Sequence, residues 1–312
     1  MTRKTDRRDF LKEGLAVTAA VMGTGVASVM DPRESHAGRI PDMVISRGRS
    51  PAANARAVVD ALGGMKKFVK PGAKVVIKPN MSFASGPRQA SNTNPEVVGE
   101  VARMCSEAGA SRIAVLDYVL QTPSECLSRS GIPAHCNGIP NTSVHAVQSK
   151  RFFRAVQVPQ GRQFRSMDVI SEVLDADVLI AVPVGKSHSA ARVSLSMKGM
   201  MGLIYDRGSF HGRYNLDQAI VDMVTILKPH LVVADGTRIL STGGPGGPGK
   251  VIPLNLVLAS SDMVAADAQM VALGTWYGRK FLPEQVKHIR MASERGLGRM
   301  DLQNLNVKNI RS

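Results

Sequence analysis

A short apolar segment followed by cationic and titratable side chains constrains the fold of this chain more than any other feature. Residues 178–182 read VLIAV, and a proline ends this run. Five apolar residues bounded by proline and glycine are typical of a strand that is buried on both faces. The tetrapeptide GKSH follows, and Lys198 lies ten residues after His188. The segment therefore predicts a buried strand that delivers Lys186, His188 and Lys198 to one edge of a sheet.

Apolar runs alternate with helical patterns along most of the chain. The predicted strands are 42–46, 74–77, 112–116, 231–234 and 254–259. The predicted helices are 52–63, 95–107, 168–174, 216–227 and 263–273. Such alternation favours parallel strand pairing with right-handed crossovers. We therefore predict an α/β fold, a doubly wound, mostly parallel sheet with helices on both faces. An irregular insertion is expected around residues 121–165, within which weak strands could lie at 142–147 and 154–158.

Polar residues follow several predicted strands at the point where each strand ends. Ligands of open α/β sheets bind at the carboxyl ends of the strands, so we expect one shared site there. The predicted catalytic residues are Lys186, His188, Lys198 and Asp117. The predicted ligand-binding or cofactor-binding residues are Lys78, Asn80, Asp235 and Gly236.

The residue types at this edge suit an anion. Lysine offers a point charge for phosphate or carboxylate, and His188 could act as an acid or a base near neutral pH. A divalent cation could be held by Asp117, Asp235 and Asp267. Each carboxylate could instead cap a helix or a turn.

The polar segment 205–217 and a glycine-proline loop offer further alternatives. Asp206, His211 and Asp217 could add ligands, although Asp217 also fits the first turn of a helix. The sequence GPGGPGK at 244–250 matches the spacing of a phosphate-binding loop. Its prolines remove backbone donors and no helix follows, so that interpretation is rejected. The loop could be a lid over the strand edge or a solvated connector.

The amino-terminal 37 residues are predicted to be an export signal. Arg7-Arg8 lies in a sequence similar to the twin-arginine motif, a mostly apolar stretch follows, and Ser35-His36-Ala37 offers a small-residue cleavage site. We expect cleavage there, a single α/β domain over 38–312, export machinery as a partner, and a periplasmic or extracellular location. An uncleaved anchor helix is the alternative.

Composition narrows the partners and cofactors. The net charge of +15 suggests anionic partners, but aromatic residues make up only 4% of the chain and are not interleaved with basic ones. We therefore expect no nucleic-acid partner. No two of the three cysteines have C-x-x-C spacing, so no intrinsic iron–sulfur cluster is expected. Cys105 fits a helix core, and Cys126 and Cys136 could form a disulfide. A metal site of His135, Cys136 and His145 is disfavoured by its spacing.

Several motifs resemble those of one protein family. They are IKPN at 77–80, TNPE at 93–96, Asp117, VPVGKSH at 182–188, SMKGMMGLI at 196–204, ADG at 234–236 and SDMVAADA at 261–268. The chain is identified from them as resembling domain-of-unknown-function family 362, from about residue 43 onwards. Gly199 departs from the asparagine more common there. The resemblance implies a fold and a residue set, and it implies no reaction.

Two functions from different classes remain open on the sequence alone. The first is an exported α/β protein whose pocket at the strand ends binds an anionic small molecule, with or without a metal, and acts on it. The second is a non-catalytic binding or accessory protein that serves an exported redox enzyme.

Overall fold

The apolar run at 178–182 forms a strand at the centre of a large, mostly parallel sheet. The computed structural model describes residues 40–312, and the export signal predicted for residues 1–37 lies outside this range. The strands are β1 (Met43–Arg47), β2 (Lys74–Pro79), β3 (Arg112–Tyr118), β4 (Thr142–Val147), β5 (Phe153–Gln157), β6 (Ser166–Ile170), β7 (Val178–Val182), β8 (Val184–His188), β9 (Arg192–Ser194), β10 (Leu231–Leu240), β11 (Val251–Ser260) and β12 (Val307–Arg311).

Helices alternate with these strands, as the periodicity predicts. They are α1 (Pro51–Ala61), α2 (Pro95–Glu107), α3 (Pro123–Ser130), α4 (Ile132–Cys136), α5 (Ser171–Leu174), α6 (Ser196–Gly199), α7 (Arg207–Gly212), α8 (Leu216–Val224), α9 (Met263–Leu273) and α10 (Lys287–Glu294). Several begin as the sequence indicates. Asn94 precedes α2, where its side chain accepts a hydrogen bond from the backbone N–H of Glu96 and proline occupies the first helical position.

The main sheet has the strand order β12-β1-β11-β10-β7-β2-β3-β4, and β8 and β9 continue it from β10. Pairing is parallel from β10 through β7, β2 and β3 to β4. Strand β11 runs antiparallel to both of its neighbours, β1 and β10. The mostly parallel α/β sheet predicted from the sequence is therefore confirmed.

Two hydrophobic cores cover the two faces of the sheet. Helices α1, α2 and α4 pack on one face, against alternate strand residues such as Val75, Ile77 and Ile180. Helices α8, α9 and α10 pack on the other, together with the β5–β6 hairpin. The alternate residues Val76 and Leu179 point to this second face. Because both faces are buried, the central strands read as continuous apolar runs.

The insertion predicted to be irregular around 121–165 is more regular than expected. Helices α3 and α4 form its first part, and the weak strands predicted at 142–147 and 154–158 are present as β4, which pairs in parallel with β3, and as β5. Strand β4 lies at the sheet edge and is mostly half-buried, so it lacks the apolar run of a central strand. The helix predicted over 168–174 is also wrong in its first half, because residues 166–170 pair with β5 as β6.

The strand predicted at 231–234 continues well beyond its apolar run. β10 runs on to Leu240 because β8 and β11 pair with its second half. Asp235 and Gly236 therefore lie inside a strand, and the alternative of a plain turn is wrong.

The cysteines and the helices allow two further statements about the described residues. Cys105, Cys126 and Cys136 are buried free thiols in the structure, without the disulfide considered for Cys126 and Cys136. None of the helices in residues 40–312 combines the length and hydrophobicity needed to cross a bilayer.

Candidate active site

A small pocket lies where two central strands separate. Strand β7 pairs with β2 as far as Val182, opposite Pro79. After Pro183 the chain continues as β8, which pairs with β10 and β9 instead. The opening forms a cavity of about 140 Å³ lined from β2, β3, β8 and the segment after β9. Its lining includes six residues predicted from the sequence: Lys78, Asn80, Asp117, Lys186, His188 and Lys198.

An ion pair forms one wall of the pocket. Lys78 Nζ lies 3.1 Å from Asp117 Oδ1, and both side chains are almost fully buried. The other oxygen, Oδ2, accepts hydrogen bonds from the Met81 backbone N–H and from the Ser82 hydroxyl. Burial lowers the pKa of Lys78, and the Asp117 carboxylate opposes that shift. Asp117 thus accepts two hydrogen bonds at Oδ2 and forms an ion pair with Lys78 at Oδ1.

Lys186 is a buried amine without a carboxylate partner. Its Nζ donates to the carbonyl oxygen of Ser91 at 2.6 Å and lies 5.0 Å from the centre of the Phe83 ring. Burial lowers its pKa to about 7, and the Lys78 and Lys198 charges add to the shift. A substantial fraction of this amine is therefore neutral at neutral pH.

Lys198 is held into the pocket by a short capped helix. The Asp267 carboxylate on α9 accepts hydrogen bonds from the Ser196 and Met197 backbone N–H groups at the start of α6. Among residues 40–312, the one hydrogen-bond partner of the Lys198 amine is the Met201 sulfur, at 3.7 Å. Burial and the nearby Arg207 charge lower its pKa to about 8.

The backbone fixes the tautomer of His188. Its Nδ1 accepts hydrogen bonds from the Ala190 and Ala191 N–H groups, each at 3.2 Å. The proton of the neutral ring must therefore sit on Nε2. Burial and the surrounding cations lower the His188 pKa to about 3, and the ring stacks on His211 with centroids 5.6 Å apart. This environment favours a neutral ring that donates from Nε2 near neutral pH, and a role of His188 as an acid or base stays a prediction.

Arg207 and two loops complete the lining. Arg207 and Phe83 are not among the residues predicted from the sequence. The guanidinium donates to the carbonyl oxygens of Tyr118 and Val119 and lies 3.9 Å from the Tyr118 ring centre. Pro245 of the glycine-proline loop also lines the pocket. The N–H of Gly244 next to it donates to the Ser187 hydroxyl at 3.0 Å. The loop thus lies against the pocket, and its role as a lid stays a prediction.

Asn80 has a structural role at the same point. Its Oδ1 accepts a hydrogen bond from the Val184 N–H at 2.9 Å, and its own N–H donates to the Thr93 hydroxyl. The first bond joins the end of β2 to the start of β8, directly after Pro183, and the second joins it to the segment before α2. A Cβ atom at Gly199, where asparagine is more common in the resembled family, would lie 3.9 Å from Asn80 Nδ2, an ordinary contact distance.

Two predicted residues, Asp235 and Gly236, do not line this pocket. The Asp235 carboxylate accepts hydrogen bonds from the N–H groups of Asn94 and Thr237 and forms an ion pair with Arg238. A side chain at Gly236 would collide with Leu256, so this glycine serves strand packing. Both positions fall inside β10 rather than at its end.

The suggested carboxylate metal site is also not assembled. Asp117, Asp235 and Asp267 each satisfy separate backbone donors. Asp206 caps α7, and Asp217 contacts His288. Within residues 40–312 no three His, Cys, Asp or Glu side chains are grouped as metal ligands. The donor set of the pocket is cationic, which disfavours a metal cation there.

A larger cavity of about 720 Å³ lies elsewhere, lined by β2, β4 and α5. It contains none of the six predicted residues above. The smaller pocket is the better candidate because titratable groups with displaced pKa values gather in it.

The family can be stated at this point. The fold and the pocket define an α/β protein with a cationic site at the strand ends. The family described as a domain of unknown function (DUF362) matches residues 75–272, and the chain belongs to it. The match contains all of the predicted site residues.

One curated relative and two solved structures are similar to this chain. A thylakoid-associated protein of Synechocystis sp. is 27% identical over 226 residues, covering 69% of this chain and 67% of that protein. The lactate racemase apoprotein of Thermoanaerobacterium thermosaccharolyticum is 11% identical, with a TM-score of 0.45 and 74% of this chain covered. A Thermotoga maritima protein is 12% identical, with a TM-score of 0.45 and 80% covered. The chain spans only 57% and 60% of those two structures.

Proposed function

We propose that the pocket binds a small oxyanion, a phosphate or a short carboxylate. The observation that carries this proposal is the charge balance of its buried groups. Lys78, Lys186, Lys198 and Arg207 face a single carboxylate, Asp117, which Lys78 already neutralises. Among the described residues, neither Lys186 nor Lys198 forms an ion pair. Buried amines without counter-charges are rare unless a ligand supplies the charge.

The size and the donors of the pocket limit the ligand. A cavity of about 140 Å³ holds roughly five water molecules, which suits an anion of similar bulk. His188 offers its Nε2–H, and Lys186 and Lys198 offer ammonium donors when protonated. Hydrogen bonds to a charged partner are the strong ones, so three such donors favour an oxyanion over a neutral molecule.

We further propose that the protein acts on this anion by proton transfer. General acid–base catalysis is most effective when the pKa of the group lies near the working pH. The pKa values of about 7 for Lys186 and about 8 for Lys198 meet that condition. His188, held neutral with its proton on Nε2, would stabilise developing negative charge by hydrogen bonding.

Calorimetric titration with sulfate, phosphate, acetate and malonate tests the binding step. Lys198→Met removes an unpaired pocket amine, and the exposed Lys66→Met is the matched control. We expect saturable binding that Lys198→Met weakens about tenfold or more and the control leaves unchanged. Equal affinities of the wild type, Lys198→Met and Lys66→Met would show that the anion binds outside this pocket.

Proton transfer has its own test. Short carboxylates with acidic C–H bonds are incubated with the protein in D₂O, and exchange of hydrogen for deuterium is followed by NMR. Exchange that depends on Lys186 and Lys198 supports an enzyme. Binding without exchange favours the alternative of a non-catalytic binding protein.

Export is a separate proposal that rests on residues 1–37. The Arg7-Arg8 pair and the small-residue site at 35–37 support a twin-arginine signal. When the full-length sequence is expressed, we expect the protein to be recovered outside the cytoplasm. The variant Arg7→Lys/Arg8→Lys should block export. Unchanged export of that variant would refute the proposal.

A further inference from the structure

A second cationic groove lies beside the turn that joins β8 to β9. It has a volume of about 440 Å³ and is lined by the turn itself, by the segment after α9 and by the start of α10. Its lining residues are Ser189, Ala190, Ala191, Arg192, Asp217, Tyr277, Arg279, Phe281 and Lys287. None of them lines the pocket at the strand ends.

The charges of this groove are unbalanced. Three of its side chains are cations, Arg192, Arg279 and Lys287, and none of them is among the ion pairs found within residues 40–312. The one carboxylate of the groove, Asp217, lies 3.2 Å from Nδ1 of the buried His288. Three cations converging on one concavity attract anions and focus them there.

Contacts and backbone conformation help to position the side chains of the groove. The Arg192 guanidinium lies 5.4 Å from the centre of the buried Phe281 ring, within cation–π distance. Arg192 and Tyr277 both adopt left-handed backbone conformations, with φ of 64° and 52°. Non-glycine residues rarely hold such angles, and where they do they cluster at ligand sites. Tyr277 lies in the groove wall, and two-fifths of its surface is exposed.

We propose that this groove binds the oxyanion groups of a ligand larger than the pocket can hold. The ligand carries at least two phosphate or carboxylate groups. The guanidinium groups of Arg192 and Arg279 bind a phosphate or a carboxylate through two parallel hydrogen bonds. Lys287 adds a point charge, and Tyr277 offers an aromatic face to the rest of the ligand. This site is independent of the proposed anion pocket. It adjoins that pocket through the backbone of Ala190 and Ala191, which donates to His188, and through Arg192, which pairs with His188 between β8 and β9.

Pyrophosphate and citrate are the probes. The first carries phosphate groups and the second carboxylate groups, and both are larger than the small pocket. Binding is measured by calorimetry at low salt. It is also followed by the fluorescence of Trp276, the only tryptophan of the sequence, which is buried next to Tyr277. The variants are Arg279→Gln/Lys287→Gln, both exposed positions, and Lys66→Gln/Lys70→Gln, which removes the same charge elsewhere. Lys198→Met is the control for the small pocket.

The expected result is saturable binding of at least one probe that Arg279→Gln/Lys287→Gln weakens about tenfold or more. The Lys66→Gln/Lys70→Gln and Lys198→Met proteins should bind as the wild type does. The probe that binds more tightly shows whether the groove prefers phosphate or carboxylate groups. The proposal is overturned if neither probe binds saturably, if the groove variant binds normally, or if both charge-removing variants lose affinity equally. Because Lys198→Met acts on the pocket alone, failure here is distinguishable from failure of the proposed function.

Discussion

At the scale of single residues, the three pocket lysines differ in how their charge is compensated. Lys78 has a carboxylate at 3.1 Å and Lys186 has a carbonyl oxygen at 2.6 Å, whereas the partner of Lys198 within the described part of the chain is a thioether sulfur. Burying an ammonium without a partner costs several kcal/mol, and proteins limit that cost by releasing the proton. The amine of Lys198 is therefore maintained at the expense of stability, as expected for a residue that serves a ligand.

Replacing Lys198 with methionine should make the protein more stable. Methionine keeps a long flexible side chain in the pocket and removes the desolvation cost of the ammonium. We expect the free energy of unfolding in urea at pH 7 to rise by about 1–2 kcal/mol. Lys66→Met, at an exposed position, should change it by less than about 0.5 kcal/mol. Destabilisation by Lys198→Met would show that this amine has a structural partner.

At the scale of elements, the pocket depends on a change of strand partners at Pro183. Before this residue β7 pairs with β2, and after it β8 pairs with β9 and β10 and leaves β2. The chain after that point is held by the Asn80 side chain on one side and by β9 and β10 on the other. The short turn at Met200–Leu203 then passes close to the Lys78–Asp117 pair. A Cβ atom at Gly202 would lie 2.1 Å from Asp117 Oδ1 and 2.9 Å from Lys78 Nζ. Only glycine fits at this crossing.

Gly202→Ala should therefore break the buried ion pair. A buried charge that loses its partner destabilises a protein strongly, so we expect a loss of about 3–5 kcal/mol in the free energy of unfolding. Gly212→Ala is the matched control, because a Cβ there meets no atom within 4 Å. Similar unfolding curves for the two variants would contradict the close packing described here.

The elements also show what the sequence can and cannot predict. The central strands were predictable because burial on both faces leaves an unbroken apolar run. Edge strand β4 was predicted only as a weak strand, since it is half-buried, and strand β8 was not predicted, since it is the polar sequence VGKSH. Five site residues, Lys78, Asn80, Asp117, Lys186 and His188, lie at or just after the ends of apolar runs, and Lys198 lies in α6. Arg207 reaches the pocket through tertiary packing and carries no local signal. Asp235 was misplaced because β10 extends beyond its apolar run.

At the scale of the whole molecule, buried ionisable groups should dominate the dependence of stability on pH. The folded pKa values of Lys186 and Lys198 lie below their ordinary value of 10.5, as does that of Lys78. The unfolded chain then binds more protons than the folded protein above about pH 7, so folding becomes more favourable as pH rises. Buried thiols act in the opposite direction above pH 9, because burial raises the Cys105 pKa to about 12 and the Cys136 pKa to about 11.

The free energy of unfolding should therefore increase between pH 7 and pH 9, by roughly 3 kcal/mol. Denaturant titrations at closely spaced pH values measure this rise. The double variant Lys186→Met/Lys198→Met should have a nearly flat profile over the same range, since it lacks the two amines that titrate there. A wild-type profile that is flat or falls with pH would show that these lysines titrate normally.

Anion binding should draw protons into the pocket, and this is the most direct test of the central claim. At pH 8 the amines of Lys186 and Lys198 are partly neutral, and a bound anion favours their protonated forms. Sulfate is a suitable ligand because it takes up no proton itself at this pH. Titration calorimetry in two amine buffers of different ionisation enthalpy counts the protons exchanged. The proposed function predicts the uptake of about one proton and weaker binding above pH 8. Binding without proton uptake, or with proton release, would contradict it.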